Sequence, residues 1–360
     1  MLGGLAASLL ALPMHAGPAQ AQRQQRQQRQ APQEPGEAKR LRIFNWDDHL
    51  SDQTLEAFAR ATGIDVEYDY YRSNEEMLEA LVDGPPVHDL VMPSDYMVDL
   101  MRKRGLVQRI DHRRLPNLKH LIQAKPFQDP PYNPGLHWGV PHLWGSAGIG
   151  FRRSRVAPAP TSWKALYDSE RHKGRLALPG DPQVLLGCAA KYLGHGLNTT
   201  DAVEIGRLRD LVLRQKPNLK LFTPGGAENL LLVDDVDMGF CWSGDIYPVI
   251  EESPEIGYAV PDEGAPIWVH TMCVPAKAPR PGNAHLFMNF VLDPQASAQI
   301  VQTTRYATAN ESARKLVPAA LRDNPAVWAP MHVLPRCETF VDLGDAQKLY
   351  DEAWAEIARG

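Results

Sequence analysis

The sequence predicts an α/β protein of two lobes, each built on a parallel-rich sheet, joined by a hinge. Three observations carry that expectation. Strand-like and helix-like patterns alternate regularly from Leu41 onward, the same alternation returns after residue 150, and two extended, glycine- or proline-bounded runs lie where the chain would cross between the two units.

In the first unit LRIFNW reads as a strand. Ser51 can cap a helix over DQTLEAFARAT, and Gly63 follows where a helix end favours a left-handed residue. IDVEYDYY is a second strand. Ser73 and Glu76 form an S-x-x-E capping box before NEEMLEALVD, which ends at Gly84 and a Pro-Pro pair. HDLVMPS is a third strand, and the helix DYMVDLMRKR stops at Gly105. This βαβαβ order implies a parallel sheet covered by helices on both faces.

In the second unit GRLALPG is a strand, a helix runs from about residue 182 to 193, Asp201 caps AVEIGRLRDLVLRQ, and LKLFTP and VDMGFCW are strands. Between the units WGVPHLWGSAGIGFRR reads as an extended crossover segment rather than a core element, and APIWVHTMCVPAKAP as the return crossing. Two crossings make a hinge with a cleft. Ligands of open parallel sheets sit beyond the carboxyl ends of strands, where Trp46, Ser94 and Trp242 stand.

The 360 residues, 44% hydrophobic and 22% charged, suit a globular chain of two domains. Residues 1–21 carry no charged side chain and end in Ala19-Gln20-Ala21, a signal-peptidase pattern, although the usual basic start is missing. Residues 22–40 form a Gln/Arg/Pro-rich stretch of net charge +3 that reads as a disordered tether. The whole chain is −5, so the body from Leu41 is −8, which argues against nucleic acid and favours cationic ligands. Cys188, Cys241, Cys273 and Cys337 are too far apart for a CxxC motif, and their pairing is open.

GSAGIG at 145–150 lacks the strand-loop-helix order and the lysine of a phosphate loop, so it reads as a tight hinge strand. No G-x-S-x-G nucleophile elbow occurs. His137 and His142 have no third ligand placed to complete a metal site, and no cofactor is called for. What recurs is aromatics beside acids: Trp46 with Asp47 and Asp48, Asp95 with Tyr96, Trp242 with Asp245, Trp268 near His270, and Tyr306. An organic ammonium ion leaving water needs ring faces over its methylenes and carboxylates for its N–H donors.

FNWDDHL, TGIDVEYDYYRSNEEML, HDLVMPSDYMVDLMRKRGL, PHLWGSAGIGF, CWSGDIY, PDEGAPIWVHTMCVPAKA and YATANESARKLVP together resemble the periplasmic polyamine-binding proteins of ABC uptake systems, nearer their putrescine-binding branch. The resemblance implies a type II periplasmic-binding-protein-like fold. Lobe one would take residues 41–148 plus about 272–315, and lobe two 149–271 plus about 316–360. It further implies a monomeric, non-enzymatic periplasmic protein that captures a putrescine-like polyamine and delivers it to a membrane permease. Carried over by position, Trp46, Asp47, Asp48, Ser94, Asp95, Tyr96, Trp242, Asp245, Trp268 and Tyr306 line the cleft.

Three positions depart from the family. His270 stands where it has an acid, Gln183 where it has a glutamate, with Asp181 out of register, and His49 replaces a tyrosine. Losing acids at one end weakens the case for a plain diamine. It raises a second reading with the same fold and transport role, for a modified amine or zwitterion. An exported enzyme or receptor-docking sensor is a third class, disfavoured by the lack of a nucleophile and base.

Overall fold

The first strand, β1 (Arg40–Trp46), buries Leu41, Ile43, Phe44 and Asn45, because the residues on both of its faces meet protein. It pairs in parallel with β2 (Asp65–Tyr71) along its whole length and with β3 (Leu90–Val91) at Ile43 and Phe44, giving the order β2-β1-β3. These relations come from a computed structural model, which describes residues 37–47 and 49–359. The expected signal segment, the tether up to residue 36 and Asp48 lie outside the described residues.

Helices join these strands where the caps expected from sequence stand. Ser51 accepts from the N–H of Thr54 at the start of α1 (Asp52–Thr62), and Gly63 ends it at φ +71°. Ser73 accepts from Glu76 N at α2 (Asn74–Asp83), while the Glu76 carboxylate takes the N–H of Arg72, one residue earlier than the capping-box pattern. The third helix, α3 (Asp95–Lys103), follows β3 directly. On the far side Phe58 meets Phe287 and Phe290 edge-on, with ring centroids at 5.0 and 5.5 Å.

The long strand β4 (Val140–Arg152) departs from expectation. It is a crossover, but it is also a core strand, with every residue buried except Arg152. Its first half pairs antiparallel with β9 (Ile267–Met272) and with β10 (Ala307–Thr308). Its second half pairs with β7 (Met238–Trp242) and β8 (Ile256–Ala259). The change of partner falls at Ser146 and Ala147. Beyond β7 lie β5 (Leu176–Pro179) and β6 (Leu219–Thr223), both parallel. The glycines that suggested a crossover segment rather than a core element are there because neighbours press against the backbone. A Cβ on Gly148 would lie 2.5 Å from the Ala259 carbonyl oxygen, and one on Gly150 2.5 Å from Ile246 Cδ1.

The first sheet does not stop at β3. Val91 and Cys273 exchange backbone hydrogen bonds of 2.9 and 2.8 Å, and Ser94 faces His270 across the same seam. β9 therefore touches both sheets, so its exposed face looks onto the gap between them. All four cysteines are buried free thiols.

Candidate functional site

Side chains alternate along β9, so that Ile267, Val269 and Thr271 are buried while Trp268 and His270 point outward. His270 stacks flat on Trp46, with centroids at 5.1 Å and planes 9° apart. Trp46 is held from behind, since its Nε1 donates to the Met92 carbonyl at 3.1 Å and Tyr71 meets it edge-on. His49, in the turn after β1, lies with Nε2 2.8 Å from His270 Nδ1, so one of these nitrogens donates to the other. His49 in turn stacks on Tyr306 at 5.1 Å and 20°. Two stacked pairs are thus joined through two imidazoles, and Trp268 borders both, 4.7 Å from His270 and 5.5 Å from Tyr306.

Two glycines make room for this cluster. A Cβ on Gly145 would lie 2.6 Å from Trp268, and one on Gly244 2.6 Å from Tyr306. Gly244 belongs to the first turn of the helix after β7 (Ser243–Glu252), which also carries Asp245, exposed to solvent.

Beneath the rings lies a third histidine. The β4–β9 register shifts between Pro141 and Trp144, a bulge that re-aims His142. Its side chain is 3% exposed and its Nε2 has no hydrogen-bond partner among the described residues. Burial, helped by His49, pushes the His142 pKa down to about 3. Burial, then His49, then His142 hold His270 well below the ordinary histidine value. Both rings are neutral at pH 7. Asp95 is buried behind β9 and accepts from Tyr96 N at 2.8 Å; burial raises its pKa to about 7.

The segment Ser94–Tyr96 links the cluster to a neighbouring cavity. Asn74 fixes it, accepting from Ser94 N and donating to Ser94 Oγ and Tyr96 Oη. Tyr96 then lines a cavity of about 540 Å³ between α3 and the helix α4 (Pro182–Tyr192), shared with Asp99, Asp181, Gln183, Phe340 and Asp342. That size suits a small solute. Asp99 is paired with Arg102 and Lys103, whereas Asp181 caps α4 through Val184 N. Gln183 donates to the Val341 carbonyl at 2.9 Å. A second cavity of about 590 Å³, around Lys125, Lys191 and Glu338, contains none of the residues expected from sequence.

Of those residues, Trp46, His49, Trp268, His270 and Tyr306 form the ring cluster, with Ser94 beside it. Asp95 lies behind it, while Tyr96 and Gln183 line the cavity. Asp47 is exposed at the end of β1, and Trp242 ends β7 with its ring edge-on to Phe240. Asp48 lies outside the described residues. Sequence reasoning passed over Asn74 and Phe340, and weighed His142 only as a metal ligand, setting it aside as a satisfied surface or core residue, whereas it is buried with Nε2 unpartnered among the described residues. These roles come from tertiary contacts, which the sequence does not signal.

Residues 53–329 match the family of bacterial extracellular solute-binding proteins. The chain belongs to this family. It is 32% identical over 324 residues to the spermidine/putrescine-binding periplasmic protein of Escherichia coli (strain K12), covering 89% of this chain and 92% of that protein. It is 28% identical over 342 residues to the putrescine-binding periplasmic protein PotF of the same organism, covering 90% and 92%. In fold it is similar to the crystal structure of the spermidine/putrescine ABC transporter substrate-binding protein PotD from Streptococcus pneumoniae. The TM-score is 0.84 at 24% identity, over 89% of this chain and 99% of that one. The family is one of binding proteins, not enzymes, and the two lobes have the type II periplasmic-binding architecture.

Proposed function

We propose that this protein captures a polyamine in the gap between its two sheets, in the periplasm, and delivers it as a monomer to the permease of an ABC importer. The observation that carries this reading is the ring cluster of Trp46, His49, Trp268, His270 and Tyr306 on the outward face of β9 and the end of β1, in a chain so similar to polyamine-binding relatives. Aromatic faces suit methylenes and attract a cation by about 0.5–2 kcal/mol per ring. Asp47 and Asp245 supply charge at the cluster, and Asp181 and Asp342 at the cavity beyond Tyr96. A linear amine running between them satisfies an ammonium group at each end.

The lobes close on the solute by bending where β4 changes partner, near residue 147, and along the connection of residues 260–266. The lobes expected from sequence, residues 41–148 plus about 272–315 and residues 149–271 plus about 316–360, are kept in this reading, except that a return crossing at 260–266 carries β9, which pairs with the first half of β4, into lobe one.

A thermal-shift panel of putrescine, cadaverine, spermidine, acylated polyamines and amino acids tests the reading. A solute that binds only the native state raises the midpoint by mass action. Shifts with polyamines are expected; a shift with a zwitterionic amino acid and none with any polyamine would replace the assigned solute.

A further inference from the structure

We propose that the His49–His270 pair is a proton-gated selector of the solute's terminal group. While both rings are neutral it admits a free amine; once the pair holds an extra proton it rejects the amine and keeps an acyl carbonyl. This rests on the reading of the cleft as an amine site.

The geometry supplies the device. Two neutral imidazoles joined through His49 Nε2 and His270 Nδ1 at 2.8 Å share one proton between them. Their two outer nitrogens, His49 Nδ1 and His270 Nε2, are then one donor and one acceptor, in either order. His49 is buried, whereas His270 is half-buried on the outward face of β9. His270 Nε2 is thus the atom that meets a solute. As an acceptor it takes an ammonium N–H; with the tautomers exchanged it donates to a carbonyl. An added proton makes both outer nitrogens donors and places a positive charge between the faces of Trp46 and Tyr306, which stack on the two imidazoles. An ammonium is then opposed by both hydrogen bonding and charge. An acyl oxygen is not.

The surrounding groups place the gate on the acid side. Burial disfavours a charge on His270, and from β4 His142 is close enough that a positive charge on one ring opposes one on the other. From α3, Asp95 lies behind β9 and binds the backbone N–H of Tyr96. From β2, Tyr71 meets Trp46 edge-on, and Tyr306 covers His49. Asp47 is exposed at the end of β1, and Asp245 opens the helix Ser243–Glu252.

The test is calorimetric titration of the full chain with putrescine and with N-acetylputrescine at pH 7.5 and 5.0. The putrescine Kd is expected to weaken about tenfold or more at the lower pH, and the acetylated amine to change by less than about threefold. Putrescine binding near pH 5 should release protons, read by comparing buffers of different ionisation enthalpy. In His270→Gln the putrescine ratio should collapse to below about threefold. If the ratio persists in that variant, another group such as Asp95 is responsible and the gate is refuted. Should the variant fold poorly, Asp95→Asn decides: a putrescine ratio and proton release that persist in it support the gate, and their loss there refutes it. A putrescine Kd independent of pH, without proton release, overturns the gate and leaves the amine site standing. Binding of no amine at either pH overturns both.

Discussion

Two buried ionisable side chains next to the ring cluster pull stability in opposite directions with pH. His142 is held down to about 3 against an ordinary 6.5, so stability present above pH 6.5 is lost as pH falls toward 3. Asp95 is raised from 3.8 to about 7, so stability present below pH 3.8 is lost as pH rises through 7. Asp95→Asn removes that second loss while keeping an oxygen for the Tyr96 N–H. The variant is expected to exceed the wild type in urea resistance at pH 8, by at most about 4 kcal/mol at about 1.4 kcal/mol per pKa unit. At pH 4 it should show no gain; an equal difference at both pH values would refute the assignment. At this scale the aromatic part of the site was legible, because Trp46, Trp268, His270 and Tyr306 sit at strand ends or alternate outward. The polar part was not. Whether Gln183 is free or engaged by the Val341 carbonyl, and whether Asp181 faces a solute or caps a helix, depends on partners distant in sequence or on the exact helix start.

Among the elements, the helices read from sequence match nearly to the residue because their caps are local, whereas Pro281–Val291, Pro294–Thr304 and Gln347–Arg359 were not read. α1, α2 and the helix Ala202–Gln215 begin and end where Ser51, Gly63, Ser73 and Asp201 indicate. β4 was misread because glycine in a strand signals a close neighbour as readily as a loop, and the neighbour is over a hundred residues away. The 2.5 Å approach to the Ala259 carbonyl makes Gly148 the sensitive position, since the obstacle is backbone and cannot swing aside. Gly148→Ala is expected to destabilise the protein by about 1–3 kcal/mol in urea unfolding, through overpacking of the strand. A variant as stable as the wild type would show that β8 yields there and that β4 is the crossover segment rather than core element that its composition suggests.

For the whole molecule, β9 belongs to the second sheet and bridges to the first at Ser94–His270 and, just beyond its end, Val91–Cys273, while Trp268 and His270 lie on its outward face. In the proposed reading a solute touches both lobes, because Trp46 and Ser94 come from the first sheet and Asp245 from the helix that follows β7 of the second. The family membership fixes the role as solute binding, and the proposed site assigns the choice of solute to the charge at the gap. The most direct test is calorimetric titration of putrescine at pH 7.5 into the wild type and into Asp245→Asn, whose side chain is exposed and contributes little to the core. Binding by the wild type at micromolar Kd or tighter, and about tenfold or more weaker in the variant at an unchanged melting midpoint, is expected for the loss of a charged hydrogen-bond acceptor. Equal affinities, or no binding by the wild type, would contradict an amine held at this cleft.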